Sequence, residues 1–136
     1  MTNAISLLNM KRLLENTRRH DITFNVDGRI EISAHVTRLL DIRPGDVIDI
    51  AVDDSRREVY LYVKHRQLAG RHKAQCYRTG KGRTCNSLRA NSVELCRQVL
   101  DMRGFSATQA RLPVGEPEEA PCIGKVLPLI IRYKNS

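Results

Sequence analysis

The chemistry this chain carries most densely is cationic. Between Val59 and Val93 there is no aspartate or glutamate, while Lys64, Arg66, Arg71, Lys73, Arg78, Lys81, Arg83 and Arg89 all fall there, with His65 and His72 among them. Such a run attracts phosphate at long range, and binding that depends on it falls steeply with salt. The whole chain keeps the same sign, with a net charge of +8 over 136 residues. A plainer reading of the same charges is a solubilising face on an ordinary basic protein. Aromatic residues are only 4% and tryptophan is absent, so bases find few rings to stack on. Duplex DNA is therefore expected ahead of single-stranded RNA.

The other reactive side chains are dispersed. Cys76, Cys85, Cys96 and Cys122 form no Cys-x-x-Cys pair. A zinc site from His72, Cys76, Cys85 and Cys96 is conceivable, but the cysteines stand 9 and 11 residues apart where structural zinc usually shows pairs two to four apart, so no metal is expected. The cysteines read as free thiols in a reducing cytosol. Carboxylates cluster at Asp53-Asp54 and across Glu116 to Glu119 in turn-like sequence, and no Ser-His-Asp or Cys-His spacing stands out. Neither an enzyme nor a cofactor is expected.

These groups must be held by elements that the apolar pattern outlines. Ile22, Phe24 and Val26 share one face, as do Ile30 and Ile32, the period-two signature of half-buried strands. Asp27-Gly28 between them signals a hairpin turn. From Ser33, a good helix cap, the spacing changes to Val36, Leu39 and Leu40, a helical stripe. Pro44-Gly45 sets a turn. Ile48, Ile50 and Val52 then alternate with Asp49 and Ala51, and Val59, Leu61 and Val63 with Tyr60 and Tyr62. Four short strands and one helix bury little surface alone, since domains below about 40 residues usually need a staple or a partner.

The run Gly28-Arg29-Ile30-Glu31-Ile32, followed by Val36, Leu40, Ile42, Arg43, Pro44, Gly45 and Asp46, resembles the AbrB-like (SpoVT/AbrB) DNA-binding family. The resemblance spans about His20 to Lys64. Ser33 stands where that family has proline, and Thr37, with Arg38 beside it, where it usually has arginine. The resemblance implies a swapped-hairpin barrel closed by a second identical subunit, and a transcriptional regulator that binds duplex DNA. Arg29, Arg38 and Arg43 are the candidate DNA contacts inside the matched unit; Arg43 could equally pair with Asp46 as a fold residue. Lys64, Arg66, Arg71, Lys73, Lys81 and Arg83 would add nonspecific affinity.

Three segments result. Residues 1–19 contain an amphipathic helix from Asn3 to Arg19, with Ile5, Leu7, Leu8, Met10, Leu13 and Leu14 as its apolar face. Residues 20–66 form the AbrB-like unit. Residues 67–136 hold a helix from Val93 to Met102, a strand at Ala110 to Val114, an acidic proline-bearing loop at 115–121 and a strand at Gly124 to Tyr133. They also carry a degenerate repeat: Gly82-Arg83 echoes Gly28-Arg29, and Cys96, Val99, Leu100, Asp101 and Met102 echo Val36, Leu39, Leu40, Asp41 and Ile42. If the repeat is real, one chain supplies both halves of the barrel as a pseudo-dimeric monomer; if not, the family pattern implies a homodimer and an added C-terminal lobe. The expected fold is thus mostly β with short helices (α+β), as a swapped-hairpin or pseudo-repeat barrel. The alternative function is a protein-interaction module, antitoxin-like or accessory, whose C-terminal half binds a protein partner. No apolar run approaches the roughly 18 residues of a membrane span, and a cytoplasmic protein is expected.

Overall fold

The computed structural model describes residues 21–55, 58–78, 87–104 and 107–131. The expected N-terminal helix, Lys81, Arg83 and Cys85 lie outside them.

The first hairpin pairs β1 (Ile22–Asn25) with β2 (Arg29–Ile32), Ile22 opposite Ile32 and Phe24 opposite Ile30. Gly28 turns the chain at φ +100°, and the Asp27 carboxylate accepts the Arg29 N–H at 3.0 Å. Val26, expected in the strand, is 60% exposed in the turn. Ser33 caps α1 (Ala34–Leu40), its hydroxyl accepting the Val36 N–H at 3.3 Å. The buried stripe of α1 is Val36, Thr37 and Leu40, with Leu39 only partly covered. After the Pro44-Gly45 turn, β3 (Val47–Asp53) and β4 (Glu58–His65) form the second hairpin.

The C-terminal half contributes β5 (Tyr77–Arg78), β6 (Leu88–Asn91), α2 (Val93–Arg103), β7 (Gln109–Leu112), β8 (Glu118–Ala120) and β9 (Gly124–Leu129). Strand β8 occupies part of the expected acidic loop, because Glu118 pairs with Val126 and Ala120 with Gly124. Strand β9 stops at Leu129, short of the expected Tyr133.

The fold is α+β and mostly β, and among the described residues the nine strands form two antiparallel sheets. Sheet A has the order β5-β6-β2-β1-β7 and sheet B the order β3-β4-β9-β8. Each sheet sets a strand pair from one half of the chain beside a pair from the other, with β2 against β6 and β4 against β9 at the junctions, and sheet A adds a further junction between the halves where β7 pairs with β1 at its edge. No closed barrel forms among the described residues, contrary to the expectation. Isolated bridges, Val47 with Gln75 and Val114 with Leu129, tie sheet B to the segments that lead into or out of sheet A. A bulge between Val47 and Ile48 limits the first. Pro113, which lacks an N–H, separates β7 from the second. Between the sheets lies one core, with Ile22, Phe24, Ile30, Ile32 and Leu112 from sheet A and Ile48, Val59, Leu61 and Leu127 from sheet B nearly or wholly buried.

The repeat takes a slightly different register from the one in the sequence. Ser92 caps α2 as Ser33 caps α1, accepting the Leu95 N–H at 3.2 Å. Aligned on the two caps, Val36, Thr37 and Leu40 match Leu95, Cys96 and Val99, all buried. The expected alignment of Val36 with Cys96 is one residue off, and Val93, at the start of α2, is 48% exposed.

Candidate nucleic-acid interface

Two neighbouring clefts gather cationic groups on sheet A and at the end of α1. A cleft of about 240 Å³ is lined by Thr37, Arg38, Asp41, Arg43, Pro44 and Arg78, with Ile42 and Leu88 at its base. Arg38 comes from the last turn of α1 and Arg43 from the loop that follows. Arg78 comes from β5, where its backbone is opposite Leu88. Asp41 is the cleft's lone carboxylate. It pairs with Arg43 at 3.6 Å, but both side chains are well exposed and solvent weakens the attraction. The guanidinium groups of Arg38 and Arg78 have no carboxylate partner among the described residues. Like charges gathered this way repel one another, and an anion with several oxygens relieves that repulsion.

Leu88 also lines the second cleft, again about 240 Å³, together with Thr23, Glu31, Ile32, Ser33, Ser87 and Arg89. It opens on the outer face of sheet A, where strand pairing sets Arg111, Thr23, Glu31, Arg89 and Tyr77 in one row across five strands. Glu31 pairs with Arg89 at 3.4 Å and more distantly with Arg29 at 4.0 Å, so one carboxylate serves two guanidinium groups. Arg89 Nε is buried with no acceptor. A second row carries Gln109, which donates to Asn25 at 2.8 Å, and Asn25 in turn donates to the Arg29 carbonyl at 2.9 Å. This face is polar, cationic on balance and fixed by its own hydrogen bonds.

The sequence candidates separate accordingly. Arg38 and Arg43 share the first cleft, and Arg29 stands on the adjoining sheet face. Thr37 is buried at the cleft wall, its hydroxyl turned to the helix backbone and donating to the Ala34 carbonyl at 2.8 Å. Arg66 is held by the fold. It donates to the carbonyls of Asp41 and Leu40 at the end of α1, and binds the fully buried Asp46 carboxylate at 2.8 Å. Asp46 therefore takes the Arg66 side chain and only the backbone N–H of Arg43, at 2.8 Å, rather than the Arg43 guanidinium. Lys64 lies on sheet B near Asp49, at 3.9 Å. Lys73 pairs with Glu94 at 3.1 Å, and Arg71 is exposed in the loop before β5. Arg78, Arg89 and Arg111 join the interface without having been singled out as site residues. For Arg89 and Arg111 the signal was the alternation of Leu88 and Ala90, and of Ala110 and Leu112, which turns the arginines outward.

Sheet B presents a different surface. Its pairing aligns Asp49, Tyr62, Val126 and Glu118 in one row. Tyr62 donates to Asp49 at 3.3 Å, and its hydroxyl pKa is raised, first by burial and then by the Asp49 charge and hydrogen bond. Tyr60 donates to Glu58 beside it. No family model matches this chain, and neither a curated protein nor a solved structure does.

Proposed function

We propose that this protein binds duplex DNA as an AbrB-like transcriptional regulator, placing phosphates against the cationic clefts of sheet A and α1. The reading is carried by the convergence of Arg38, Arg43 and Arg78 from three separate segments on one cleft with a single exposed carboxylate. Phosphate contacts from that corner would set the position of the duplex, and the row through Arg89 and Arg111 would face a groove. In this reading the AbrB-like unit of residues 20–66 is completed by residues 67–136. The two sheets then stand as an opened, pseudo-repeat form of the family's swapped-hairpin barrel.

The test is the salt dependence of binding to a labelled duplex. Removing one cation from a phosphate should flatten the plot of log K against log salt by about 0.9. R38A/R43A/R78A is expected to weaken binding alike on all sequences and to lower the slope by between two and three such steps, with an unchanged circular dichroism spectrum. Wild-type affinity and slope in that variant would remove the cleft from the interface.

A second reading draws on sheet B. Tyr60, Tyr62 and Pro128 face outward there among Asp49, Glu58 and Glu118, an acidic and partly apolar surface suited to a basic protein partner and unsuited to DNA. Recovery of one stoichiometric protein partner, with no duplex retained at moderate salt, would favour an interaction module.

A further inference from the structure

The junction between the two halves of the chain says what kind of duplex the protein fits, taking the DNA-binding reading above as its premise. Strands β2 and β6 run antiparallel at the centre of sheet A, Ile30 opposite Ala90, Glu31 opposite Arg89 and Ile32 opposite Leu88. Each strand leads into a serine-capped helix. A two-fold axis taken through the Glu31–Arg89 pair exchanges Ile30 with Leu88 and Ile32 with Ala90, all four buried, and the two serine caps follow it with one extra residue, Asn91, in the second half.

In an assembly of two identical strands, the residue on that axis faces its own copy. Glu31 would meet Glu31, or Arg89 would meet Arg89, and like charges directly opposite in a sheet are destabilising. Here the axial position holds opposite charges 3.4 Å apart, which two different halves of one chain supply. The neighbouring edges are also taken. Strand β2 lies between β1 and β6, and β4 between β3 and β9, so neither offers an edge to a second copy.

The halves are alike in backbone and unlike in the groups they present. On the cap alignment Arg38 matches the exposed Arg97, but Arg43 matches Met102, which packs against the core. At the axis itself a carboxylate on one side answers a guanidinium on the other. We propose that one chain acts as a built-in dimer, binding one duplex with two unequal half-sites, and that the sequence it selects has no two-fold symmetry.

Light scattering of the full chain, first free and then on a duplex selected from a random pool at about 0.15 M salt, tests this. The expected results are a free mass of one chain, 15.5 kDa, one chain per duplex, and a selected motif without a dyad. A free dimer, or two chains on a palindromic motif, would overturn the proposal while leaving DNA binding in place. Failure to bind any duplex would overturn the DNA reading together with this one. A charge exchange probes the axis independently of DNA. Glu31→Arg and Arg89→Glu should each lower the melting temperature, and E31R/R89E should recover most of the loss at one-chain mass. A double variant no better than the sum of its parts would remove the pair from the junction.

Discussion

Asp46 is a carboxylate with no exposed surface, held by three donors: Arg66 Nη1 and the backbone N–H groups of Arg43 and Gln67, each at 2.8 Å. Removing the arginine leaves a buried charge short of one partner. Because the Arg66 side chain is 54% exposed, Arg66→Ala should cost roughly 1–3 kcal/mol rather than the larger loss of a fully buried pair. Urea unfolding checks the figure, and the salt slope of DNA binding should stay as in the wild type. A reduced slope with unchanged stability would instead place Arg66 on the DNA. The buried thiols make a second residue-scale prediction. Burial, with the Asp46 charge adding, pushes the Cys76 thiol up from 9.0 to about 12. Burial also raises Cys96 to about 11, helped by Asp27 and opposed by a backbone hydrogen bond from Asn25. Raised values mean that the contribution of each thiol is complete below about pH 9 and is lost as the pH climbs through 11 and 12. Each adds a slope near 1.4 kcal/mol per pH unit in that window. The urea midpoint should fall from pH 9 to 11, and fall less in C76A/C96A. At pH 8 a thiol reagent should modify the exposed Cys122 and spare Cys76 and Cys96, as peptide mapping by mass spectrometry would show.

Two glycines separate backbone strain from crowding at the scale of the element. Gly28 and Gly124 both turn hairpins at positive φ, +100° and +92°. A Cβ on Gly28 would lie 2.8 Å from Val93 Cγ2 and 3.1 Å from the Val93 nitrogen, whereas one on Gly124 meets nothing within 4 Å. Gly124→Ala should therefore cost about 1 kcal/mol of strain, and Gly28→Ala more, since it also pushes α2 off the β1–β2 turn. Equal destabilisation by calorimetry would deny that close approach. Elements of this kind were legible where local pattern decides them. Asp27-Gly28, the Ser33 cap and the alternation of Ile48 and Ile50 each specify structure from within a few residues. Strands β5 and β8 were not, because their state comes from partners elsewhere. Tyr77-Arg78 is a strand only against β6, and Glu118-Glu119-Ala120 only against β9. The site divides the same way. Arg38 and Arg43 are near one another on any reading of the sequence, while Arg78 reaches them only because β5 extends sheet A.

The interleaving of the halves bears on how the whole molecule folds. Residues 20–66 hold the hairpins β1–β2 and β3–β4, but each is one side of a junction: β2 needs β6, and Leu61 and Tyr62 of β4 need Leu127 and Val126 of β9. Cut at residue 66, the N-terminal piece would expose the β2 edge together with Ile30, Ile32 and Leu61, all buried in the whole chain. Too little apolar surface remains to offset its chain entropy. The C-terminal piece loses the same junctions from the other side. Neither piece should give a dispersed amide spectrum alone, and mixing the two should restore the strand signals and a cooperative melt. The full chain should unfold in one transition, with equal calorimetric and van't Hoff enthalpies, since each half lies in both sheets and neither can leave without opening the shared core. A folded, monomeric fragment of residues 1–66 would mean that the halves are independent domains resting on one another. The cationic clefts, which draw Arg78 and Arg89 from one half and Arg38 and Arg43 from the other, would then open wherever the two domains parted.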